Sequence, residues 1–206
     1  MLKKTSIFFC SIFLIFSVQA QNFGGGLILG INTSQVGGDN LGGFDKVGFL
    51  VGAFTNTSIT ELLSVQIEMT YIEKGSRNPN MNDLDHPNYL IEDISSFYFE
   101  IPLVLQYHKN KNLRIEGGLL SAYLIDGYYN DLNGKIPTYN MNPFIKYDFG
   151  FLLGIDYIFS NKLSLNTRIS NSIVPIGTED YNITAYNSNT KGKYNSALSF
   201  VLHYNF

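Results

Sequence analysis

Eight stretches of this chain alternate, residue by residue, between a continuous apolar face and a face that is small or polar. The links between them alternate as strictly between short and long. A period of two is the mark of a β-strand. In the last stretch Phe206, Tyr204, Leu202, Phe200 and Leu198 fall on one face, and Asn205, His203, Val201, Ser199 and Ala197 on the other. The third sets Leu63, Val65, Ile67, Met69 and Tyr71 against Ser64, Gln66, Glu68 and Thr70, and the fourth sets Phe97, Phe99, Ile101, Leu103, Leu105 and Tyr107 against Tyr98, Glu100, Pro102, Val104, Gln106 and His108. The remaining five are centred on residues 27–31, 47–53, 113–123, 145–157 and 163–169.

Short links at 56–60, 109–112 and 160–162 alternate with long polar ones at 35–45, 74–93, 126–143 and 171–191. A closed up-and-down barrel in an outer membrane has this pattern, with short turns on the periplasmic rim and long loops outside. The expected fold is all-β, an eight-stranded antiparallel transmembrane β-barrel. A soluble barrel would turn its aromatic residues inward, whereas here Tyr71, Tyr107, Tyr123, Tyr147, Tyr157 and Tyr204 lie on the apolar face near strand ends, as girdle residues do. Pro102 cannot donate to a ladder, so a local bulge is expected there.

The amino terminus supports export. Lys3 and Lys4 precede an apolar run from Ile7 to Val18, and Val18-Gln19-Ala20 offers small residues for cleavage. Residues 1–20 read as a cleaved signal peptide and 21–206 as one barrel domain. The run is too short for the roughly 20 residues of a spanning helix. Cleavage would remove Cys10, the one cysteine, leaving a mature chain without thiol or disulfide. Removing Lys3 and Lys4 from the 14 basic residues leaves 12 against 17 acidic ones, a net charge of about −5, which argues against a nucleic-acid partner.

With the apolar face outward, the lumen collects Glu68, Glu100, Arg114, Glu116, Lys146, Asp148, Asp156 and Arg168. Isolated buried charges are costly, so Glu68, Glu100 and Glu116 should meet basic groups such as Arg168, Arg114 and Lys146. Eight strands enclose a space that side chains can fill. A packed polar plug is expected, and a gated pore or proton path through the three glutamates is the alternative. No catalytic site is expected. His86 falls in a long link, and His108 and His203 lie near the short-turn ends of their strands, with no His and Ser pair at a lipid-facing or outer rim. Gly24 to Gly26 lacks the following helix of a phosphate-binding loop. Asp83 and Asp85 near His86, and Asp39 with Asp45, match no EF-hand spacing. Neither a cofactor nor a metal is expected. Tyr128, Tyr129, Tyr139, Tyr181 and Tyr186 in the long links could grip a peptide or glycan.

The stretch from Gly30-Ile31-Asn32-Thr33-Ser34-Gln35 through Gly38-Asp39, Gly43-Phe44, Lys46-Val47-Gly48 and Gly52, then Gln66-Ile67-Glu68 and Tyr71-Ile72-Glu73-Lys74-Gly75, resembles the PorT-like outer-membrane β-barrel family of Bacteroidota. Glu100-Ile101-Pro102-Leu103 and the terminal strand carry the same likeness. The resemblance implies an eight-stranded barrel placed among outer-membrane lipid by the barrel assembly machinery, which reads a last strand ending in an aromatic residue, here Phe206. The expectation is a non-enzymatic barrel with a structural, adhesive or complex-building role, its long loops meeting other envelope proteins or extracellular ligands. A narrow channel or transporter and a lipid-modifying rim enzyme are the alternatives.

Overall fold

The computed structural model describes residues 23–38, 43–77, 93–131, 134–135, 144–177 and 193–206. The signal peptide expected at 1–20, and Asp39, Asp83, Asp85, His86, Tyr139, Tyr181 and Tyr186, lie outside the described residues. The strands are β1 (Phe23–Gly37), β2 (Lys46–Ser58), β3 (Leu63–Arg77), β4 (Asp93–His108), β5 (Leu113–Asp131), a two-residue β6 (Gly134–Lys135), β7 (Tyr147–Ile158), β8 (Leu163–Ser172) and β9 (Tyr194–Asn205). Each long strand pairs antiparallel with its neighbour, and β1 pairs with β9 from Gly26↔Asn205 to Gly37↔Tyr194, so eight strands close into a barrel with β6 appended to β5. No helix among the described residues is long and apolar enough to cross a membrane; this chain spans with strands, whose backbone groups closure satisfies.

The period of two holds through the barrel. Leu29, Phe49, Met69, Leu103, Leu119, Leu153 and Leu202 are exposed on the outer wall, while Ile28, Leu50, Glu68, Val104, Leu120, Leu152 and Val201 are buried inside it. Lipid covers the outer row. Where the lumen is tightest, glycine stands on its wall: a Cβ at Gly154 would meet Glu116 Oε1 at 2.7 Å and Arg168 Cβ at 3.0 Å, and one at Gly26 would meet the Phe54 ring at 2.7 Å.

The three short turns are built alike. The N–H groups of Ile59 and Thr60 donate to the Leu63 carbonyl, those of Lys109 and Asn110 to Leu113, and those of Phe159 and Ser160 to Leu163. Inside each turn a polar side chain accepts a backbone N–H: Thr60 from Leu62 and Leu63, Asn110 from Asn112, and Ser160 from Lys162 and Leu163. Each turn is also tied to the next hairpin. Leu62, Asn112 and Lys162 carbonyls accept from His108, Ile158 and Asn205, each at 2.8 Å.

Two local expectations are corrected. Pro102 makes no bulge. The β3–β4 register is the same on either side of it, Ile67↔Leu103 and Thr70↔Glu100, and the ladder omits the bridges between; on its other side Pro102 pairs with Leu120. A proline lacks one donor, and losing rungs on one side accommodates that without an extra residue. The bulge in β4–β5 falls instead between Phe97 and Tyr98. Lys146 is not a lumen residue. The strand begins one residue later, at Tyr147, and Lys146 sits exposed in a bend, its carbonyl accepting the Leu124 N–H at 2.7 Å. The inward phase inferred for it required a strand that is not yet formed there.

Candidate functional site

The lumen is braced at its middle by Arg168 on β8. Its guanidinium donates to both oxygens of Glu68 on β3, Nη1 to Oε2 at 2.8 Å and Nη2 to Oε1 at 3.1 Å, and its Nε donates to Asn166 Oδ1 at 2.8 Å. Glu116 Oε1 on β5 lies 3.4 Å from the same Nε. Gln66 Nε2 donates to Glu68 Oε1 at 2.8 Å, which with the fork occupies the carboxylate of a fully buried residue. A planar fork suits this geometry where a lysine would not.

Toward the short turns, Arg114 on β5 donates through Nε and Nη2 to Asp156 on β7, the Nε bond being 2.8 Å. Buried His203 on β9 stands between two carboxylates, Nδ1 at 3.5 Å from Asp156 Oδ1 and Nε2 at 3.9 Å from Glu68 Oε1, with the Phe54 ring edge-on at 5.2 Å. His108 Nε2 lies 2.8 Å from Ser64 Oγ, a histidine–serine contact on the lumen side of the short-turn rim. The Ser64 hydroxyl is also within reach of Gln106 Oε1 at 3.2 Å.

Toward the long links the lumen changes character. Lys74 donates to Glu100 at 2.5 Å and lies 5.8 Å from the centre of the Tyr98 ring. Asn195 Nδ2 donates to the Tyr98 hydroxyl at 3.2 Å and to Asp148 at 3.1 Å, and Ser172 donates to Asp148 at 2.8 Å. Lys46 meets Asp93 and Glu73 at 3.1 and 3.5 Å and Ser95 at 2.7 Å. Buried among these groups are Val36, Ile72, Ile94, Leu124, Phe144 and Ile176. The plug expected to be polar is therefore mixed: apolar side chains gather in a cap at this end, and Ile28, Leu50, Phe54 and Val201 continue the same buried cluster down the lumen. A void lined by Glu68, Glu100, Arg168 and Ser170 measures about 20 Å³, room for one water.

Of the residues expected in the lumen, Glu68, Glu116 and Arg168 come together, Arg114 joins Asp156, and Asp148 joins a neutral network. Glu100 is met by Lys74, which falls in the long link expected at 74–93 but belongs to β3. The signal was present: Thr70, Ile72, Lys74 and Ser76 continue the inward phase of β3, and all four are buried. Among the described residues no group of three His, Cys, Asp or Glu side chains is arranged to hold a metal.

On the outer wall the aromatic residues form two belts. At the long-link end the rings of Phe49, Tyr71, Phe97 and Tyr128 follow one another at 5.9, 6.1 and 6.1 Å between centres, and Tyr123 meets Tyr147 at 5.5 Å. At the short-turn end Tyr157 meets Phe159 at 5.1 Å and Tyr204 meets Phe206 at 6.4 Å. Phe206 is 81% exposed, and its N–H donates to the Gly25 carbonyl at 3.1 Å across the closing seam.

Residues 19–176 match the family model described as outer membrane protein beta-barrel domain. The fold is similar to that of Neisserial surface protein A, at 10% identity over 89% of this chain and 97% of that one with a TM-score of 0.53. It is also similar to Ail, the attachment invasion locus protein of Yersinia pestis, at 9% identity over 89% and 98% of the two chains with a TM-score of 0.50. No curated protein matches the sequence.

Proposed function

The chain belongs to the outer membrane protein beta-barrel domain family and resides in the bacterial outer membrane, where we propose that it is a non-enzymatic barrel with a structural, adhesive or complex-building role. The long links at one end carry that role, and the filled lumen beneath them is their rigid support. The observation that carries this reading is the cross-brace from Arg168 to Glu68 and Glu116, which ties β8 to β3 and β5 through the centre of the barrel. The void beside it measures about 20 Å³, room for one water, which supports a filled lumen over a channel. Within the family, the strand from Glu68 to Gly75 and the Ile101-Pro102 step favour the PorT-like barrels of Bacteroidota. Residues 1–20 are the export signal in this reading, and Phe206 is the mark read by the barrel assembly machinery.

Purified protein in a planar bilayer is expected to show no stable openings; ion-selective openings would replace this reading with that of a narrow channel. Replacing the four long links by short turns is expected to abolish the capture of crosslinked envelope or extracellular partners while the heat-modifiable gel shift of the barrel persists. Undiminished capture would remove the links from the role assigned to them.

A further inference from the structure

The short-turn rim carries charge that the barrel does not neutralise. Lys109 and Lys111 are exposed between β4 and β5, and Lys162 between β7 and β8; Glu61, between β2 and β3, is the acidic residue of the three turns. Among the described residues none of these lysines is in an ion pair, whereas Lys46, Lys74 and Lys135 at the other end lie 3.1, 2.5 and 3.8 Å from carboxylates.

The two lysine-bearing turns are fixed side by side. The Ile158 N–H donates to the Asn112 carbonyl at 2.8 Å, and Asn112 Nδ2 returns a bond to the Ile158 carbonyl at 3.1 Å. Internal bonds to Asn110 and Ser160 hold each turn in shape, so the lysines spring from a rigid base. Directly above them on the outer wall stand Tyr107, Tyr157 and Phe159, all exposed, with Tyr157 cross-strand from Leu113 and Tyr107 cross-strand from Ile115. Such rings lie at the level of lipid headgroups. The ammonium groups of Lys109, Lys111 and Lys162 are thereby held at phosphate depth on flexible stems, each with three donors.

We propose that this sector binds the phosphates of anionic phospholipids in the periplasmic leaflet. Charge complementarity selects an anion, and the adjoining lipid-facing rings select one embedded in the membrane over a soluble acidic protein. The site lies at the opposite end of the barrel from the long links and is independent of the role given to them. It would hold the barrel at a set depth and gather anionic lipid around the hairpins β4–β5 and β7–β8. A basic residue near an anionic surface strengthens association about fivefold, so three together are worth roughly a hundredfold.

The test uses the full barrel in nanodiscs of phosphatidylcholine doped with phosphatidylglycerol, with retained lipids counted by native mass spectrometry after release. The wild type is expected to retain phosphatidylglycerol in preference to phosphatidylcholine, and more weakly at high salt. The K109Q/K111Q/K162Q variant is expected to lose that preference, while K109R/K111R/K162R and the opposite-end variant K135Q/K146Q keep it. Heat-modifiable migration establishes that each variant is folded. Wild-type selectivity in K109Q/K111Q/K162Q, or no selectivity in the wild type, overturns the proposal. Displacement of phosphatidylglycerol from the wild type by inorganic phosphate or by soluble polyglutamate overturns it too, in favour of a free anion or an acidic polymer.

Discussion

Arg168 and Glu68, one hundred residues apart in the chain, meet across the lumen through two hydrogen bonds of 2.8 and 3.1 Å. Neither strand is a neighbour of the other in the sheet, so the pair spans the barrel interior where the ladder cannot.

Replacing Arg168 by methionine leaves Glu68 and Glu116 buried without their cation. Breaking a buried pair from one side costs about 3–5 kcal/mol, and the loss should appear in urea unfolding from lipid vesicles. Adding Glu68→Gln should recover part of it, giving a coupling energy well away from zero in the double-mutant cycle. Additive effects would mean that the two groups do not interact in the membrane.

Gly154→Val tests the packing of the same region from the wall. Its first added carbon would lie 2.7 Å from Glu116 Oε1, and the space beyond is occupied by Arg168. Overpacking of this kind costs about 1–3 kcal/mol. The expected outcome is a lower urea midpoint with the barrel gel shift retained, and an unchanged midpoint would show that the lumen has room to spare.

Leu103→Arg and Leu105→Gln probe the outer wall. Leu103 is exposed in the middle of β4, between the belts marked by Phe97 and Tyr107. Arginine there should cost about 2–4 kcal/mol by its depth in the bilayer, more than the uncharged glutamine nearer the rim. Equal tolerance of both would remove Leu103 from the lipid-facing wall.

Deleting Phe206 removes the bond from its N–H to the Gly25 carbonyl, of the order of 1 kcal/mol. If Phe206 also serves recognition during assembly, its deletion should reduce the folded fraction in the outer membrane far more than it lowers stability after refolding into vesicles. Equal, small losses in both measurements would confine Phe206 to seam closure.

Much of the architecture was legible because alternation is a local property. Leu103 and Val104 differ in environment by virtue of a single step along the pleat, and that step is written in the order of residues. The turns at 109–112 and 160–162 were legible for the same reason, whereas the first, expected at 56–60, lies at 59–62 because β2 continues to Ser58 and pairs with β1 as far as Thr57. The ends of strands were less so. Lys74 keeps the inward phase of β3 but follows Glu73, and two adjacent charges suggest a loop; only the approach of Glu100 from β4 makes burial of that lysine tolerable. Lys146 errs in the other direction, an alternating position placed before its strand begins.

The sequence by itself determined which residues face lipid, how many strands close and at which end the links are long, because each follows from the period of two and from turn chemistry within a few positions. The tertiary structure decided which charges meet. Arg168 takes Glu68 and Glu116, Arg114 takes Asp156, and Lys74 takes Glu100, since partners inside a barrel come from strands distant in the chain and closure alone brings them within hydrogen-bond distance. The apolar cap of Val36, Ile94, Phe144 and Ile176 was settled in the same way. Its members lie at strand ends or just beyond them, where the alternating pattern fades and burial depends on what the opposite wall supplies.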